Sequence, residues 1–306
     1  MKLKLQFKFL VILTAFIELG FIADHSRDAE LSTTSTSSFY DYDYFSSDWS
    51  PQMAANIGVW RSVTYGNGLF VAVNPDARFT QVMTSTDGIT WTSRTAAEAS
   101  AWQGVTYGNG LFVAVSLNGK VMTSTDGETW TARMAAESGQ WGSVTYGKGL
   151  YVAVSRDGKV MTSPDGETWT ARMAAELNSW YSVTYGNGLF VAVATLGDNR
   201  VMYSTDGITW SKPQVPPPTN QWTSVTYGNG KFVAVSADGT NRVMTSPDGE
   251  TWTARSATEP NLWWSVTYGN GKFVAVSIDG TNRVMTSPNG ITWTARSATE
   301  ANSWNS

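Results

Sequence analysis

Residues 123–137 read TSTDGETWTARMAAE, and residues 162–176 read TSPDGETWTARMAAE. A phrase that returns so closely marks a structural unit, and its spacing identifies the class of unit. The phrase belongs to a longer sentence. Each Ser-x-Asp-Gly-x-Thr-Trp copy is preceded by Ser-Val-Thr-Tyr-Gly-Asn-Gly or a near variant. That variant opens after Trp60, Trp102, Trp141, Trp180, Trp222 and Trp264, at intervals of 42, 39, 39, 42 and 42 residues. Units near 40 residues that are rich in Gly, Thr and Val match four-stranded propeller blades, not leucine-rich, ankyrin or helical repeats.

One unit parses directly. WQGVTY (102–107) is a β-rich run, GNG a turn and LFVAV (111–115) a second run. VMTS (121–124) is a third, and TWTAR (129–133), after Asp-Gly, a fourth. Asn-Gly and Asp-Gly between β-rich runs predict hairpins with positive φ at both turn residues. LFVAV is apolar on both faces, so it needs a sheet above and a sheet below. Stacking blades radially supplies both, and closing the ring removes most open edges. The expected fold is all-β: a propeller of four-stranded antiparallel blades, six by repeat count, over residues 49–306. A seven-bladed ring with one defective blade and an open stack are the alternatives.

Composition excludes several kinds of chemistry. The chain has 306 residues, no cysteine and one histidine, His25, so disulfides, thiol chemistry, Ser-His-Asp triads and His-ligated zinc lack their residues. The formal net charge of −4 gives no footprint for nucleic acid. Neither a cofactor nor a metal is expected.

The N-terminus orders Lys2, Lys4 and Lys8 before the apolar run FLVILTAFI, as a secretory leader does, so residues 1–23 are read as a signal peptide or apolar leader. Residues 24–48, with LSTTSTSSFYDYDYFSSD, read as a flexible Ser/Thr/Tyr-rich spacer. The expected location is secreted or cell-surface, with no stable membrane span once the leader is removed.

The repeated phrase resembles the Asp-box, or bacterial neuraminidase repeat, of sialidase-like propellers. The six copies are carried by Ser85, Asp87 and Trp91; Ser124, Asp126 and Trp130; Ser163, Asp165 and Trp169; Ser204, Asp206 and Trp210; Ser246, Asp248 and Trp252; and Ser287, Asn289 and Trp293. The usual box is one residue longer, and Asn289 stands where Asp is expected. The resemblance implies structural staples remote from any catalysis: a carboxylate accepting backbone N–H groups in a turn and Trp covering the hairpin. A sialidase site would need single, asymmetric Arg, Tyr and Glu residues. Here Tyr65, Arg94 and Glu98 are each copied from blade to blade.

The copies differ most in the loops between second and third strands, such as SRDGK (155–159), ATLGDNR (194–200), SADGTNR (236–242) and SIDGTNR (277–283), and in the links between blades. In a four-stranded meander both emerge at one end of the ring, the expected recognition end. Its expected ligand-binding residues are Trp60, Trp102, Trp141, Trp180, Trp222 and Trp264 with Arg156, Arg200, Arg242, Arg283, Asp157, Asp198, Asp238 and Asp279. Aromatic faces beside such polar groups suit carbohydrate. The first functional expectation is therefore a multivalent binding or adhesion module for glycans or a surface protein, without catalysis. A sialidase-like glycoside hydrolase and an assembly-factor propeller holding one protein partner are the alternatives.

Overall fold

The computed structural model describes residues 52–56, 58–298 and Ser303. The leader and the spacer lie outside the described residues. Six antiparallel sheets follow one another along the chain without crossover, five ordered first-second-third-fourth and the fourth blade first-second-third. The six first strands are Ser62–Gly66, Trp102–Gly108, Trp141–Gly147, Trp180–Gly186, Trp222–Gly228 and Trp263–Gly269. Successive first strands touch one another around the axis from blade 1 to blade 6. Arg61 of blade 1 then meets Trp264 of blade 6, and one axial cavity is lined by all six blades. The protein is a six-bladed propeller. Among the described residues no helix is long and apolar enough to cross a membrane.

Burial explains the two-faced second strands. Between blades 1 and 2, Val71, Val73 and Val82 pack against Trp102, Phe112, Ala114, Met122 and Trp130. The same interlock joins blades 2 and 3, 3 and 4, 4 and 5, and 5 and 6. At the junction of blades 6 and 1 the described residues form two clusters instead, Val274–Val276–Val284 and Trp60–Ala72–Met83–Trp91. Close inner packing depends on glycine: a Cβ on Gly66, Gly108, Gly147, Gly186 or Gly228 would collide with the tyrosine ring of the next blade. Serines add a second tie. Ser62, Ser143, Ser182 and Ser224 accept N–H bonds from Val105, Val183, Val225 and Val266 of the following blade at 3.1–3.2 Å.

The two turn types differ physically. In Asn109-Gly110 both residues have positive φ, 46° and 80°, as the tight hairpin requires. In Asp126-Gly127 only the glycine does, at 75°, which corrects the expectation of a two-residue hairpin there. The connection runs from Ser124 to Thr131 and is organised by side chains. Ser124 Oγ donates to Asp126 Oδ1 at 2.9 Å, and that oxygen accepts the N–H groups of Glu128 and Thr129 at 2.8 Å. Asn289 accepts from Ile291 and Thr292 at 2.9 Å in the same way. An amide oxygen therefore suffices in this turn. Blade 4 departs from the expected four strands: its fourth is reduced to a bridge between Tyr203 and Ser211, because Pro213 follows and lacks an N–H for the ladder.

Candidate functional site at the propeller axis

In blades 2 to 6 the first strand begins with a buried Trp followed by one residue that breaks the pairing register. In blade 2 Trp102 pairs with Ser116 and Gly104 with Val115, leaving Gln103 in a bulge. Blades 3 to 6 repeat this at Gly142, Tyr181, Thr223 and Trp264. Arg61 holds the corresponding position in blade 1, donating its N–H to Val73 O at 3.0 Å. A bulge re-aims a side chain. Here Arg61, Gln103, Gly142, Tyr181, Thr223 and Trp264 all line a cavity of about 140 Å³ on the axis. The first strands start at the end where the inter-blade links arrive, so the cavity lies toward that end.

The cavity has a defined polar order. Arg156, from the second-to-third loop of blade 3, reaches across Gly142 and donates from Nη2 to Gln103 Oε1 at 3.0 Å. Its guanidinium carbon lies 4.3 Å from the centroid of the Tyr181 ring. Tyr181 meets Trp264 edge to face at 5.7 Å, and the Arg61 guanidinium sits 5.9 Å from the Trp264 ring. Five blades thus contribute to one chain of contacts. Thr223, from blade 5, is turned to the carbonyls of Val235 and Trp263. Burial pushes the Arg61 guanidinium down from its ordinary value; Tyr181 opposes this and the neighbouring Arg156 adds to it. Among the described residues that line the cavity, two are arginines and none is an acid.

The loops and links do share the end foreseen from the sequence. Asn178, Asn220 and Asn261 of the links donate from Nδ2 to the carbonyls of Asn199, Asn241 and Asn282 in the loops. The opposite turns meet on the other end, where Lys148 Nζ reaches Thr205 O at 3.1 Å. Most of the expected ligand residues are placed differently from the expectation. Trp60, Trp102, Trp141, Trp180 and Trp222 are at most 1% exposed and present no ring face to solvent: the last four fill the gap between two blades, and Trp60 packs on Ala72, Met83 and Trp91 of its own blade. Trp264 does not belong to that set: Trp263 pairs with Ser277 as Trp222 pairs with Ser236, so Trp263 is the core residue and Trp264 the axial one.

The charged residues divide in a similar way. Arg200, Arg242 and Arg283 donate to the carbonyls of Gly197, Gly239 and Gly280 and hold their own loops. Asp157, Asp238 and Asp279 accept the N–H groups of Gln140, Gln221 and Leu262. Asp198 is exposed on its loop. Of the expected polar set, only Arg156 lines the axial cavity. The axial set escaped sequence reasoning, although a signal existed: the residue after the repeated Trp differs in all six copies, while its neighbours hardly change.

A family model described as DUF6242 beta propeller domain matches residues 45–178 and again residues 173–304. No curated protein matches the sequence. Among solved structures, virginiamycin B lyase from Staphylococcus aureus is similar with a TM-score of 0.70 at 11% identity, covering 79% of this chain and 85% of that one. YCF48 bound to D1 peptide gives a TM-score of 0.62 at 14% identity, over 81% and 85%. The computationally designed Ika8 protein gives 0.57 at 12%, over 77% and 73%. At these identities the likeness is one of fold.

Proposed function

This chain belongs to the DUF6242 beta propeller family, and from that premise we propose that it is a non-catalytic recognition module that receives a group of a partner protein in its axial cavity. One observation carries the reading. The only position of the first strand that changes in every blade is the one aimed at the axis; it supplies an arginine, two aromatic rings and an amide, and the loop residue Arg156 adds a second arginine. Uniform blades are a scaffold, and chemically mixed side chains converging on a cavity are how ligands are read. A protein partner accords with YCF48, a propeller of similar fold that has been seen with a peptide. The absence of an acid from the described lining residues favours binding over glycoside hydrolysis, which needs two carboxylates. The leader and the Asp-box resemblance support display outside the cell.

A glycan partner is the second reading, favoured by the partly exposed Trp264 beside Tyr181 and Arg156. Panels of peptides and glycans offered to the full chain separate the two. Binding that is lost in Tyr181→Ala and Trp264→Ala supports the axial site. Binding untouched by both, or turnover of a fluorogenic sialoside, refutes the proposal.

A further inference from the structure

We propose that the axial cavity takes a carboxylate, gripped by the guanidinium of Arg156 with Arg61 beside it; this rests on reading the cavity as the binding site. Several other arginines are committed to acids or to loop carbonyls: Arg94 to Glu128, Arg133 to Glu167, Arg78 to Asp76, Arg200 to Gly197 and Thr219; Arg172, Arg255 and Arg296 lie away from the axis and donate to threonine hydroxyls of their own blades. Arg156 is placed otherwise. It spends one Nη donor on the neutral amide of Gln103, its ring partner is Tyr181, and its buried Nε has no hydrogen-bond partner in the structure.

Arg61 shares the cavity and feels Arg156 as a like charge. An anion entering this small space would meet both guanidinium groups. A guanidinium with donors left over from its bond to Gln103 matches a carboxylate, and charge-assisted pairs of this kind are the strong ones. The Tyr181 and Trp264 rings can cover the carbon attached to it. The volume, about 140 Å³, admits a carboxylate with a short stem and is well below the usual 300–1,000 Å³ of drug-sized sites.

The test is calorimetry on the full chain with three acids, each beside its amide twin. These are benzoate with benzamide, a Gly-Gly-Gly-Ala peptide with free or amidated C-terminus, and a capped Gly-Gly-Glu-Gly-Gly peptide with its Gln counterpart. Inorganic phosphate is the fourth probe. At least one acid is expected to bind in preference to its amide, and the pair that does so identifies the source of the group. Arg156→Gln is expected to weaken that acid roughly tenfold or more, the scale of one charge-assisted contact.

Gln103→Glu guards against loss through misfolding. It sets an acid against Arg156, so it should raise the melting temperature while abolishing acid binding. Acids and amides binding alike, phosphate binding tighter than every acid, no acid binding into the millimolar range, or full affinity in Arg156→Gln would each overturn the proposal. Partner binding that is lost in Tyr181→Ala but kept in Arg156→Gln would refute the carboxylate alone and leave the recognition module standing.

Discussion

Gly142 leaves open the space that Arg156 fills: a Cβ built on Gly142 would stand 3.5 Å from Arg156 Nε and 3.6 Å from its Cγ. Those are ordinary contacts, so Gly142→Ala should keep both stability, within about 1 kcal/mol, and the arginine's position. Gly142→Leu has no such room and should turn Arg156 away from Tyr181. Urea denaturation of both variants, with ligand titration of each, checks this: a leucine variant that binds like wild type would show that Arg156 needs no seat.

Gly147 and Gly149 sit two residues apart and should fail differently. A Cβ on Gly147 would strike Cγ of Tyr185, whose ring closes the gap between blades 3 and 4. Gly147→Ala is therefore expected to cost about 3 kcal/mol through overpacking. Gly149 has open space around it but a φ of 77°, so Gly149→Ala should cost only about 1 kcal/mol, from backbone strain. Denaturant midpoints that rank the two the other way would contradict the packing described.

Acid should loosen the side-chain turns. The N–H groups of Thr129 and then Glu128 hold Asp126 down to about 2, and those of Thr90 and Ile89 do the same for Asp87. Both values lie below that of an unfolded Asp, ~3.9. The turns' contribution is thus complete above about pH 4 and is lost as the pH falls toward 2. Asn289 already performs the task with an amide. Asp126→Asn should accordingly leave the fold intact at neutral pH and shallow the fall of melting temperature between pH 4 and 2. An unchanged acid slope would mean that other groups set it.

Lys148 occupies the left-handed position, φ 51°, that asparagine holds in the other five hairpins. Asparagine tolerates that region better than lysine does. Lys148→Asn is expected to stabilise by roughly 0.5–1 kcal/mol, less a small loss of the exposed contact to Thr205 O. Equilibrium unfolding with an unchanged m-value checks it.

The architecture was legible because one period, one hairpin signal and one two-faced strand all require the same blade. LFVAV cannot be buried on both sides in any lone sheet, and Asn-Gly allows few connections. The site was less legible because repetition drew attention to what is constant. Trp102 and its equivalents border the variable links and so enter the expected ligand set, yet they are buried and the bulge turns the next residue to the axis. Trp264 shows the difficulty in miniature. Beside Trp263 only the pairing register, which sequence spacing does not fix, says which of the two is core and which is axial. The loop arginines follow another logic: Arg200 and Arg242 each donate Nε to the carbonyl of the glycine three residues before, a contact that spacing alone does not announce.

The valine-to-tryptophan interlock has a corollary for dissection of the molecule. A cut between blades bares one valine face and one tryptophan face, which are complementary to each other and alike at every internal junction. The two family matches, 45–178 and 173–304, divide the chain into consecutive halves of three blades each. The cut between blades 3 and 4 leaves the valine face on the first half and the tryptophan face on the second, so separately made halves should seek each other to restore a full circle.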